Sequence, residues 1–126
     1  MQRISSYFDL LNHLAQYGTL MCTRVDGVVI PGPLPGLMGG TFENCDFSGQ
    51  SLDSQDLSGT VFIGCAMRDM VLSRVNLFGA EFSRCDLTGS RFAHCDMAAS
   101  SMTDCTLAQT RFVDCDFEGA ELETAA

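Results

Sequence analysis

From Phe42 to Leu122, every fifth residue is Leu, Phe or Met without interruption. A period of five matches neither the 3.6-residue turn of a helix nor the two-residue alternation of a strand, so neither element alone explains it. Two positions before each of these apolar centres the residue is mostly small: Gly40, Cys45, Thr60, Cys65, Ala80, Cys85, Ser90, Cys95, Ser100, Cys105, Thr110, Cys115 and Ala120. Gln50, Gln55, Met70 and Val75 are the exceptions. A short rule held over so long a stretch marks a repeat architecture, in which each unit buries its apolar residue by stacking on its neighbours. The pattern ahead of it differs. Phe8, Leu11 and Ala15, together with Leu10, Leu14 and Tyr17, recur at three- and four-residue intervals and predict an amphipathic helix over 5–17. Ser5 or Ser6 would cap its start and Gly18 would close it. Leu20 to Val25 and Val28 to Ile30 flank Asp26-Gly27, which predicts a small hairpin. The Pro- and Gly-rich run from Pro31 to Gly36 cannot supply a regular ladder of N–H donors, so the junction falls there. The expected organisation is a cap over 1–36 and a repeat domain over 37–126.

The order of a small residue, a polar residue, Leu or Phe, and two variable residues resembles the pentapeptide-repeat family; Asp86-Leu87-Thr88-Gly89 and Asp116-Phe117-Glu118-Gly119 come close to its consensus. The resemblance implies an all-β solenoid, a right-handed quadrilateral β-helix with four pentapeptides per turn and the central Leu or Phe inside. Residues twenty apart would then stack at the spacing of neighbouring strands, about 4.8 Å, and about four turns would make a rod roughly 20 Å long. The helix and hairpin would lid the N-terminal end. At the other end Leu107, Phe112, Phe117 and Leu122 have little sequence left to cover them, which suits either a homodimer or an uncovered end.

Seven cysteines raise the question of disulfides or zinc, but no C-x-x-C pair occurs. Six of them, Cys45, Cys65, Cys85, Cys95, Cys105 and Cys115, occupy the small inward position. Stacked Cα atoms would lie within disulfide range, yet their Cβ vectors would run parallel, so reduced core thiols are expected. Cys22 would belong to the hairpin. His13 and His94 lack a ligand set at metal spacing, and no hydroxyl is paired with a general base, so neither an enzyme nor a cofactor is expected. The first residues lack the apolar core of a secretory signal and no run is long enough for a membrane span; a soluble protein of the bacterial cytoplasm is the expectation.

Charge is the informative feature. The net charge is −9, with no Lys, which excludes a direct grip on nucleic-acid phosphates and points to a basic partner. Sorted by the four sides of the expected coil, the side of Phe42 bears Glu43, Glu81, Asp104, Glu121 and Glu123 against Arg84, a net of −4. The side of Leu57 bears Asp56, Asp96, Asp116 and Glu118 without a cation, again −4. The side of Phe47 holds Asp46, Asp69 and Asp86 against Arg68, and the side of Leu52 holds Asp53 and Asp114 against Arg74, Arg91 and Arg111. Duplex DNA presents about twelve charges in 20 Å, so stacked carboxylates on a stiff rod would imitate a short phosphate backbone. Glu43, Asp46, Asp56, Glu81, Asp86, Asp96, Asp104, Asp116, Glu118 and Glu121 are the candidate partner contacts. Family members of this mimic type include an anti-CRISPR kind that blocks DNA entry to a type I surveillance complex, Cascade, and gyrase binders that confer quinolone resistance. The resemblance implies Cascade as first choice of partner and gyrase as the second. Two other readings are acidity that serves solubility alone and a docking module built on Phe78, Val61, Ile63 and Val71.

Overall fold

The computed structural model describes residues 2–4, 9, 12, 19–21, 23–25 and 40–124. Over the last of these ranges the chain winds into the expected quadrilateral β-helix of about four turns, with all strand pairs parallel. Two opposite sides are sheets. Strands β4 (Thr41–Glu43), β6 (Val61–Ile63), β8 (Glu81–Ser83), β10 (Ser101–Cys105) and β12 (Glu121–Thr124) stack on the first side. Strands β5 (Ser51–Asp53), β7 (Val71–Ser73), β9 (Arg91–Ala93) and β11 (Arg111–Val113) stack on the third. On the second and fourth sides the rungs meet through single bridges, Asp46↔Ala66↔Asp86↔Thr106 and Asp56↔Asn76↔Asp96↔Asp116.

Register follows the repeat: Phe42 lies opposite Phe62 and Leu52 opposite Leu72, twenty residues on. Each rung donates and accepts across the gap, as where the Phe47 N–H donates to the Ala66 carbonyl and the Ala66 N–H to the Cys45 carbonyl. At the last turn the register slips by a residue, with Cys105 opposite Thr124.

The apolar centres fill the tube. Phe42, Phe62 and Phe82 form a stack with ring centroids 5.3 and 5.0 Å apart, and Phe92 and Phe112 form a second at 5.0 Å. The exceptional Gln50, Gln55, Met70 and Val75 are buried as well. The six repeat cysteines are free thiols, as expected. Each from Cys65 on donates weakly to a carbonyl one turn earlier, for example Cys85 Sγ to Phe62 O at 3.4 Å and Cys95 Sγ to Leu72 O at 3.5 Å. Burial pushes the Cys95 thiol up to about 11. Cys65 reaches about 12: its contact with Cys45 opposes the rise, while the contact with Cys85 and burial drive it. Cys65, Cys85 and Cys95 thus fill space as protonated thiols, whereas the contact with Cys85 brings the Cys105 thiol down to about 7. Toward the end of the coil Leu107, Phe112 and Phe117 are half-buried and Leu122 is exposed.

The N-terminal segment contributes three described strands. Leu20 to Val25 is not one strand but parts of two: β2 (Thr19–Met21) and β3 (Thr23–Val25). β2 adds to the first side, parallel to β4, with Leu20 opposite Phe42. β3 pairs in parallel with β1 (Gln2–Ile4). The physical reason is the open edge of β4, whose N–H and C=O groups need a partner. β2 supplies it, so the sheet of the first side extends to a strand that precedes the Pro-rich run in sequence. Val28 to Ile30, the expected second arm, lies outside the described residues, as does most of the 5–17 helix. Within that helix Asp9 and Asn12 are described; both are helical and exposed.

Candidate functional site

The candidate residues occupy two kinds of position. Asp46, Asp56, Asp86, Asp96 and Asp116 sit immediately before an inward centre, where the backbone turns a corner two residues later. In each, Oδ1 accepts the N–H of the residue two further on: Ser48, Ser58, Thr88, Ala98 and Glu118, all at 3.0–3.1 Å. These are Asx turns, in which the carboxylate satisfies an N–H that the coil leaves without a rung partner. Asn76 does the same with its amide oxygen for Phe78 N–H at 3.0 Å. The Ser58 hydroxyl and N–H hold the Asp56 carboxyl below the usual carboxylate range, and the Thr88 hydroxyl leads the same effect at Asp86, helped by Arg68. Both carboxyls are therefore ionised at neutral pH. The structural duty of these acids was legible in the recurring Asp-Phe/Leu-Ser/Thr/Glu-Gly strings and was missed in the sequence reading.

Glu43, Glu81 and Glu121 instead point outward from strands of the first side, and Asp104 and Glu118 stand at or beside corners. Along these columns the acids do not stack turn upon turn as expected. Glu81 lies opposite Val61 and Ser101, and Glu121 opposite Ser101. Asp46 and Asp86 are separated by Ala66, and Asp56 and Asp96 by Asn76; only Asp96 and Asp116 bridge directly. Like charges placed opposite each other at strand spacing repel, and alternation halves that repulsion. The carboxylate spacing along the axis is thus mostly two rungs, about 10 Å.

Around the tube the acids are sorted. The first and fourth sides carry Glu43, Glu81, Asp104, Glu121 and Glu123, and Asp56, Asp96, Asp116 and Glu118, with Arg84 the single cation. These sides meet at a corner formed by Gly59, Gly79, Ala99 and Gly119, where nothing larger than a methyl projects. Ion pairs between described residues lie on the other two sides. Arg74 grips Asp53 with both carboxylate oxygens at 2.8 Å, which holds that carboxyl low; Arg68 reaches Asp86 at 3.8 Å, and His94 Nδ1 lies 3.9 Å from Asp114. The surface thus divides into a paired half and an acidic ridge astride a bare corner. Asp46 and Asp86, on the second side, are not part of that ridge. The apolar docking candidates do not converge either: Val61 and Ile63 are half-buried on the first side, Val71 is exposed on the third and Phe78 on the fourth. Among the described residues no group of His, Cys, Asp and Glu could hold a metal ion, and no helix is long and apolar enough to cross a membrane.

A parallel coil with a filled interior and all its chemistry on the outside defines a repeat scaffold of the β-solenoid class. The family model for pentapeptide repeats matches residues 56–93 as eight copies, and the coil of about four turns matches the pentapeptide-repeat β-helix. A pentapeptide repeat protein, Rfr23, from the cyanobacterium Cyanothece 51142 superposes with a TM-score of 0.51 at 14% identity, over 83% of this chain and 64% of that one. A pentapeptide repeat protein from the Arabidopsis thaliana thylakoid lumen gives 0.40 at 27% identity, over 67% and 59%. The plasmid-mediated fluoroquinolone resistance protein QnrB1 gives 0.40 at 28% identity, over 94% of this chain and 43% of that one. The chain spans less than two thirds of each of these structures. No curated protein sequence matches it significantly.

Proposed function

We propose that the chain is a DNA-mimicking decoy that occupies the basic DNA path of a nucleic-acid-binding complex. The carrying observation is the ridge: carboxylates on two adjacent sides, one cation among them, astride a corner that offers no steric barrier. A groove lined with Lys and Arg attracts such a surface through complementary potential, which raises the association rate and makes binding strongly salt-dependent. The coil supplies stiffness, because every rung is hydrogen-bonded to the next and the interior is packed. Target DNA entry to a type I CRISPR surveillance complex is the step we assign to it, and DNA gyrase is the alternative target.

The test must remove charge without removing the Asx turns, and Asn76 shows how: an amide oxygen serves the turn as a carboxylate does. Asp56, Asp96 and Asp116 changed to Asn, with Glu81, Glu118 and Glu121 changed to Gln, should keep the thermal midpoint within a few degrees. The wild-type chain should displace target duplex from purified Cascade, or block supercoiling by purified gyrase, and lose that effect by tenfold or more between about 50 and 200 mM salt. The amide variant should do neither. Displacement by the amide variant at wild-type strength, or no effect of the wild type on either complex, defeats the reading.

A further inference from the structure

The fourth side carries one large apolar side chain that folding does not require. Phe78 follows the inward Leu77, points away from the core and is 52% exposed. In the twenty-residue register its column reads Ser58, Phe78, Ala98, Glu118, and the adjoining corner reads Gly59, Gly79, Ala99, Gly119. Backbone bonds confirm the neighbours: the Gly59 N–H donates to the Phe78 carbonyl at 2.9 Å and the Gly79 N–H to the Ala98 carbonyl at 3.0 Å. The ring therefore rises from a floor of small residues. Asp56 and Asp96 stand on the rungs to either side, and Glu81 lies across the bare corner. The arginines of the coil are elsewhere: Arg68 on the second side, Arg74, Arg91 and Arg111 on the third, and Arg84 at the far edge of the first.

A benzene ring presents a negative face, and here it does so amid carboxylates, so the group that satisfies both is a cation that sheds water easily and lies flat. Guanidinium meets that description; it is planar, weakly hydrated and stacks on aromatic faces, whereas ammonium is compact and strongly hydrated. We infer that Phe78 anchors a guanidinium-binding patch, so that the ridge selects arginine-lined over lysine-lined protein surfaces. This rests on the decoy reading and adds to it a discrimination that a phosphate backbone, which has no ring at that place, does not possess. Binding energy at interfaces concentrates in such a central aromatic surrounded by weaker polar contacts.

The probes are labelled decaarginine and decalysine peptides, equal in charge, titrated at low and moderate salt against the wild type, Phe78→Tyr, Phe78→Leu and the amide variant described above. The wild type and Phe78→Tyr should bind the arginine peptide about two- to fivefold tighter than the lysine peptide. Phe78→Leu, which keeps bulk but not the π face, should bring that ratio to one with lysine-peptide affinity unchanged. Equal affinities in the wild type, or a preference that survives in Phe78→Leu, overturn the role of Phe78 while leaving the ridge in place. If the amide variant binds both peptides as the wild type does, or if neither peptide binds in a salt-dependent manner, the ridge itself is refuted.

Discussion

Every fifth residue from Asn44 to Gly119 holds a positive φ, between 51° and 78°. Each pentapeptide closes on a left-handed residue, a conformation that costs an L-residue roughly 1–2 kcal/mol and glycine almost nothing. Gly89 shows the tight case, with φ of 74° and the Asp69 carboxylate where a Cβ would stand. Gly89→Ala should lower stability by about 1–2 kcal/mol, whereas Ala99→Gly, at an exposed φ of 57°, should raise it by roughly 0.5–1 kcal/mol. Urea midpoints at unchanged slope would read both effects. The rule was partly visible in Asn44, Gly64, Asp69, Gly79, Asp104 and Gly119, residue types that tolerate this geometry. Arg74, Arg84 and His94 concealed it, because their left-handed state is imposed by the rungs above and below and not by their own preference. The inward centres were legible from Phe42 to Phe117, since burial inside a narrow tube permits little besides Leu, Phe and Met; Leu122, at the end of the coil, is exposed.

At the scale of the element, the Asx turn is the unit that the coil repeats. Asp96→Ala leaves the Ala98 N–H without its acceptor and should cost about 1 kcal/mol; Asp96→Asn should cost far less, as Asn76 in the same column implies. Thermal unfolding of the two variants would separate turn formation from charge. This double duty explains why the candidate site was only half readable. An Asp before each centre looks the same in sequence whether it serves a turn, a partner or both, and the paired Asp86 makes the same turn as Asp96 but has Arg68 one rung away. The division of Leu20 to Val25 between two strands was hidden for a related reason. Leu20 to Val25 has the composition of a hairpin arm, but the open edge of β4 competes for it, and that edge exists only after the coil has formed.

At the scale of the whole molecule, the sorting of charge follows from register, since one side collects the residues that lie twenty apart. Length changes in this fold are therefore quantised. Excising residues 66–85 would remove one full revolution and keep Asp96 and Asp116 aligned with Asp56. Excising residues 66–70 preserves the inward centres but advances everything downstream by a quarter revolution, which carries Asp96 and Asp116 onto the third side. Both shortened chains should give β-rich circular dichroism, and salt-dependent capture of decalysine, which does not depend on the Phe78 ring lost with the first excision, should persist in the first and weaken severalfold in the second. Such a coil behaves as a combination lock: its mutable dial is the number of residues between two acids, and a chain can drift freely in outward composition so long as insertions arrive in whole revolutions.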